Sequence, residues 1–150
     1  MYVEQALTAA ATDDLDLLEI LVIAGINPNC CGWSLRTPLH MAVAAHSQKT
    51  FGYLMSLPNI ELGPVDRRGN TPLWDAIVDG NYEMANCLRS DGAPIQDGVA
   101  EYICQAVSEH KSGFVELLLK VGVSMDLKVR SHHFAHAFAT LRSSTCNLWC

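Results

Sequence analysis

The residues of this chain best equipped for chemistry cluster near its end: His132, His133, His136, Cys146 and Cys150. Imidazoles three or four positions apart share a helical face, and a thiolate can close a tetrahedral zinc site around them. Their spacing matches no familiar zinc motif, so no metal is expected there. Cys30 and Cys31 are adjacent, and sequence neighbours suit neither a tetrahedral site nor an unstrained mutual disulfide. His40 follows a Thr-Pro pair by two positions and offers a base or a ligand. Asp13, Asp14, Asp16 and Glu19 offer paired carboxylates, yet acids at the start of an apolar segment are what a helix N-terminus favours. The chain contains no phosphate-binding loop, dinucleotide fingerprint, Gly-x-Ser-x-Gly elbow or His-Glu-x-x-His pair. The expectation is a protein that is not an enzyme and uses neither cofactor nor metal.

Composition narrows the class further. With 49% apolar and 17% charged residues over 150 positions, the chain can bury a core and is not of the disordered type. Sixteen acids against ten bases give a net charge of −6, which leaves no basic footprint for nucleic acid or for an anionic membrane surface. The longest apolar run, Leu17 to Ile26, is interrupted by Glu19 and closed by Gly25, too short to span a bilayer, so no direct membrane insertion is expected. Met1-Tyr2-Val3-Glu4 does not begin like a secretory signal. The six cysteines do not form a disulfide-like framework, and Cys87 and Cys104 lie in helix-like apolar patterns where small buried thiols sit. These features imply a reducing, cytoplasmic setting.

The elements that position these residues repeat. Arg36-Thr37-Pro38-Leu39-His40 and Asn70-Thr71-Pro72-Leu73-Trp74 each place Thr as an N-cap and Pro at the first helical position. Small residues recur at Ala9, Ala42, Ala76 and Ala106, each followed twelve positions later by Leu21, Leu54, Leu88 and Leu118. Sixteen positions after each alanine come Gly25, Pro58, Gly92 and Gly122. Three ladders in one register describe helix, tight turn, helix and loop, with Ala where helices approach closely and Gly closing the second helix in a left-handed conformation. The second helix of the first unit is expected to start at Asp13 or Asp14 with Leu17, Leu18 and Leu21 inward. That of the second is expected over Gln48 to Leu57, ending differently because Pro58 stands in the glycine place. Asp66-Arg67-Arg68-Gly69 reads as a turn. A fourth unit lacks the Thr-Pro start but keeps Ile103 at its apolar position.

These motifs resemble ankyrin repeats, whose unit of about 33 residues opens on Thr-Pro-Leu-His. The resemblance covers roughly Val3 to Asp126, with departures at Gly32 and Leu35, where Asp and Gly are usual, and at Trp74 in the His place. It implies an all-α solenoid with hairpin-like loops: a domain over residues 3–126, divided into units 3–35, 36–69, 70–99 and 100–126, and an irregular tail or partial capping helix over 127–150. It also implies that His40 bonds neighbouring backbone and braces a loop. The segment from Gly69 to Ile77, followed by the unit holding Tyr102-Ile103-Cys104, is similar to ankyrin segments of cytoplasmic asparaginase/lysophospholipase enzymes, glutaminases and plant voltage-gated potassium channels. A fragment of such a host, serving assembly or regulation, is the alternative to a free-standing module.

What the resemblance implies for function is binding of another protein. On the ankyrin pattern the loop tips carry Trp33, Ser34 and Arg36, then Arg67 and Arg68. Met41, Ala45, Asp75, Val78 and Asp79 fall on the groove-lining helix positions. Exposed Trp, Arg and Met are the side chains from which interfaces draw most of their energy. The basic pair Arg67-Arg68 in an acidic chain points to a partner bearing an acidic segment.

Overall fold

The computed structural model describes residues 2–95; Cys104, Cys146, Cys150, the His132–His136 cluster, the fourth unit and the tail lie outside the described residues. The described elements belong to one compact unit, Met1–Gln96. Among the described residues there are six helices and no strand: α1 Tyr2–Thr12, α2 Leu15–Ile23, α3 Pro38–Ala44, α4 Gln48–Ser56, α5 Pro72–Val78 and α6 Tyr82–Ser90. They pair as α1 with α2, α3 with α4, and α5 with α6, while the first helices pack in the order α1, α3, α5 and α2 packs on α4. The fold is therefore all-α, three helix pairs stacked side by side.

The alanine ladder explains the tightness of each pair. Ala9, Ala42 and Ala76 are fully buried. Their carbonyls each accept the amide five positions on, from Asp14 at 3.0 Å, Ser47 at 2.9 Å and Asn81 at 2.9 Å. That bond reverses the chain only if the residue between turn and second helix takes positive φ. Asp13, His46 and Gly80 do so, at 57°, 56° and 70°. The same closure ends α2 and α6, where Ile26 donates to Leu21 and Ala93 to Leu88, with Gly25 at φ 95° and Gly92 at 89°. In α4 Leu57 precedes Pro58, which disfavours helical backbone before it. Leu57 accordingly turns extended at ψ 131°, and its amide reaches only to Leu54.

Between the paired helices lie Leu18, Leu39, Leu54, Leu73, Ile77 and Leu88, all at 0–1% exposure. Each such burial stabilises by roughly 1.5–3 kcal/mol. Polar links then fix one pair against the next. The Asp13 carboxylate accepts from the Thr50 amide at 3.0 Å and lies 3.2 Å from its hydroxyl. The Ser47 hydroxyl donates to the Ala11 carbonyl at 3.2 Å. The Asn29 side chain donates to Asn59 O at 2.8 Å and accepts from the Glu61 amide at 3.0 Å.

Caps form as the residue types dictate. Asp14 accepts from Leu17 N, Thr71 from Trp74 N, and Asn81 from Met84 N. Two expectations need correction. Cys87 is exposed rather than buried, because it falls on the outer side of α6 while Met84, Ala85 and Leu88 face the core. Leu17 is only half-buried, since its counterpart Thr50 in α4 packs against a preceding helix pair that α2 does not have among the described residues.

Candidate protein-binding surface

The loop before each Thr-Pro start folds into a short hairpin. In the second, the Gly69 amide donates to Asp66 O at 2.9 Å and Asp66 N to Asn70 O at 2.9 Å. The Asp66 carboxylate accepts from the amides of Arg68 and Asn70 at 2.8 and 2.9 Å. Gly69 takes φ 81°, the left-handed step that follows a type I turn in a hairpin. Arg67 and Arg68 thus occupy the tip, and both are exposed.

The first hairpin keeps the same geometry with different residues. Gly32 N donates to Arg36 O at 3.2 Å and Leu35 N to Gly32 O at 3.0 Å. Leu35 stands in the glycine place and is held at φ 58°. Gly32 stands in the aspartate place, where a Cβ would lie 2.7 Å from Leu7 Cδ1 and oblige that side chain to shift. Trp33 and Ser34 form this tip, with Trp33 85% exposed and Leu35 47%. The two tips are joined, for the Arg67 amide donates to Ser34 O at 3.0 Å. Trp33 and Arg67 therefore hold equivalent positions on adjacent, registered hairpins.

His40 anchors that register from below. It is fully buried; its Nδ1 accepts the Thr37 amide at 3.2 Å and lies 3.0 Å from the Thr37 hydroxyl. With Nδ1 an acceptor, the ring proton sits on Nε2, which donates to Asn70 O at 3.0 Å. Burial holds the His40 pKa below its ordinary 6.5, and the Arg36 charge adds to this against the Asn70 carbonyl and Asp66. A neutral imidazole with both nitrogens engaged is a brace. Trp74, in the equivalent place of the next pair, is half-buried.

The remaining expected residues divide into two groups. Ala45, Val78 and Asp79 are exposed and Met41 half-buried along α3 and α5, on the same side of the stack as one another in the repeat register. Arg36 and Asp75 do not stand free: their side chains form an ion pair, 27% and 12% exposed, and Arg36 also reaches His40 O. Burial raises the Asp75 pKa, and the Arg36 charge offsets part of that rise. This pair ties the base of the first hairpin to α5, the first helix of the next pair in the stack. Sequence reasoning missed Leu35 as a surface residue, although an apolar side chain in a left-handed tip position is bound to be displayed. Cys30 and Cys31 are free thiols, and burial pushes the Cys30 thiol up, with Cys31 and Glu4 adding to it, which makes it a poor nucleophile. Among the described residues no group of three His, Cys, Asp or Glu could hold a metal ion.

Residues 6–98 match the family described as ankyrin repeats (3 copies). The chain belongs to the ankyrin-repeat family. Ankyrin repeats are a protein-interaction module and are typically non-catalytic. Over 129 residues, 85% of its length, this ankyrin-repeat chain is 27% identical to potassium channel AKT2/3 of Arabidopsis thaliana. It is 35% identical over 85 residues to the potassium channel GORK of the same plant, and 36% over 61 residues to Rabankyrin-5 of Mus musculus. Those matches cover 54% and 41% of this chain. The chain spans only 16%, 10% and 5% of those three relatives. Among the described residues no helix is long and apolar enough to cross a membrane.

Proposed function

We propose that the chain is a non-catalytic binding module whose hairpin tips and concave first-helix face hold an acidic segment of another protein. The observation that carries this reading is the pair of registered tips. Trp33 is 85% exposed at one, and Arg67-Arg68 stand at the other in a protein of net charge −6. Trp and Arg dominate interface energetics, and a tip fixed by the Arg67–Ser34 backbone bond is ordered before the partner arrives. Arg67 and Arg68 steer an acidic segment, Trp33 and Leu35 bury its apolar residues, and Met41, Ala45, Val78 and Asp79 line its path along the helices. Arg36 and Asp75 support the tips through their ion pair. Four units over residues 3–126 form the domain, with 127–150 as its cover, working in a cytoplasmic setting without nucleic acid.

The match to potassium channel AKT2/3 over 85% of this chain favours a second reading, in which the chain is the ankyrin segment of a channel-type protein serving assembly or regulation. A longer transcript encoding channel helices upstream would establish it.

The test is selection of peptides from a random displayed library on the immobilised protein, followed by titration of the enriched peptides. Acidic peptides are expected to emerge. Their affinity should fall with salt and by tenfold or more in the Arg67→Glu, Arg68→Glu double variant. Peptides without acidic residues, bound equally by that variant, would refute the assignment.

A further inference from the structure

α2 differs from the other second helices in a way the tips do not explain. Seven of its nine residues are aliphatic, interrupted only by Asp16 and Glu19. A helix whose aliphatic side chains extend beyond its core-facing stripe is ordinarily covered on that further side as well. Here Leu18 and Leu21 face the core, while Ile20 is 63% and Ile23 83% exposed. Asp16, Glu19, Ile20 and Ile23 follow i, i+3, i+4, i+7 spacing and form one stripe, exposed at Asp16, Ile20 and Ile23 and half-buried at Glu19. The equivalent positions are Lys49, Gly52, Tyr53 and Ser56 on α4, and Glu83, Asn86, Cys87 and Ser90 on α6, neither with a pair of aliphatic side chains at its end.

Another repeat stacked before α2 would leave Ile23 bare. Ser56, its counterpart on α4, is exposed even though α4 has α2 packed on its preceding side. What covers Ile23 therefore lies along the outer surface, away from the tips. Charge selects its chemistry. The α1–α2 pair carries Glu4, Asp13, Asp14, Asp16 and Glu19 and no Lys or Arg, so its own charge is acidic only. Among the described residues no ion pair reaches Asp16 or Glu19. The same charge opposes face-to-face pairing of two copies through α2.

We infer that the outward stripe of α2 docks a basic amphipathic helix of a partner protein, its aliphatic face on Ile20 and Ile23 and its Lys or Arg side chains on Asp16 and Glu19. A helix fits because the stripe runs about 10 Å along the α2 axis at 1.5 Å per residue, matching one apolar seam of a second helix. This surface is separate from the tips and does not depend on the function proposed for them.

The probe is a designed helical peptide with Leu at i, i+3, i+4 and i+7 and flanking Lys, titrated against the full chain by fluorescence anisotropy. Two control peptides carry Glu for Lys, or Ser for Leu. Wild-type protein should bind the basic peptide at least tenfold more tightly than either control. Ile20→Ser with Ile23→Ser should lose tenfold or more, and Asp16→Asn with Glu19→Gln threefold or more together with the salt dependence; Trp33→Ala should change nothing. The charge variant keeps the inference testable if the serine variant melts early. No saturable binding by wild type, equal binding of the Glu peptide, or wild-type affinity in both double variants would overturn it. So would a concentration-dependent dimer in sedimentation that Ile20→Ser, Ile23→Ser abolishes, since a second copy would then be the occupant.

Discussion

His40 and Asn70, thirty positions apart, are joined by an Nε2–H donated to a backbone carbonyl at 3.0 Å. One imidazole thereby ties the start of α3 to the hairpin that presents Arg67 and Arg68. The arrangement uses the neutral ring, and burial enforces that form.

A pH dependence of stability follows. His40 is held below its ordinary 6.5 in the folded protein, so as pH falls through 6.5 the unfolded chain takes up the proton first. Its stabilising contribution is complete above 6.5, declines below it, and levels off beneath the folded value. Urea midpoints between pH 7.5 and 5.5 should fall for wild type and fall less for His40→Gln. Asp75, raised by burial, acts with the opposite sign at lower pH, which makes the difference between the two proteins the quantity to read.

Leu35 is held in a left-handed conformation that costs a branched L-residue on the order of 1–2 kcal/mol. Glycine removes that cost but adds ~0.5–1 kcal/mol of chain entropy. Leu35 is 47% exposed and gives up little burial. Leu35→Gly is expected to stabilise slightly, by up to about 1 kcal/mol, seen as a higher melting temperature. A lower one would mean that the side chain packs within the tip.

Thr50 joins the first pair to the second through Ala10 O and Asp13. Thr50→Val keeps the volume and leaves those acceptors without the hydroxyl, at a cost of about 1–2 kcal/mol. Chemical denaturation would measure it, and Thr8→Val, whose exposed hydroxyl bonds only within α1, should cost less.

Overpacking tests the alanine ladder. Ala76 is fully buried, so Ala76→Leu should destabilise by ~1–3 kcal/mol. Asn86→Leu, on the exposed side of α6, should stay within about 0.5 kcal/mol of wild type. Equal thermal midpoints for the two variants would contradict the register.

The ladders were legible because their physics is local. Ala at the helix approach, Thr-Pro at the start and Gly at the closure each have a backbone reason readable at one position. The altered end of α4 was legible in Pro58 for the same reason. Pairings across the stack were not. Arg36 reads as a free basic tip residue until Asp75, thirty-nine positions on, is brought beside it. Cys87 and Ile20 occupy the same place in their respective helices and both are exposed, although the apolar pattern around Cys87 suggests burial. Only the stack decides which side of a second helix is covered. At Leu35 the hairpin held its geometry against the preference of the residue, because the Gly32–Leu35 and Gly32–Arg36 backbone bonds fix it.

The central claim, binding at the registered tips, is tested most directly by nitrogen–proton NMR of the labelled protein titrated with a selected acidic peptide. The Trp33 indole resonance and the amides of Ser34, Arg67 and Arg68 should shift or broaden first, while those of Ile20 and Ile23 stay in place. Unmoved tip resonances, with the changes confined to the second helices, would contradict it.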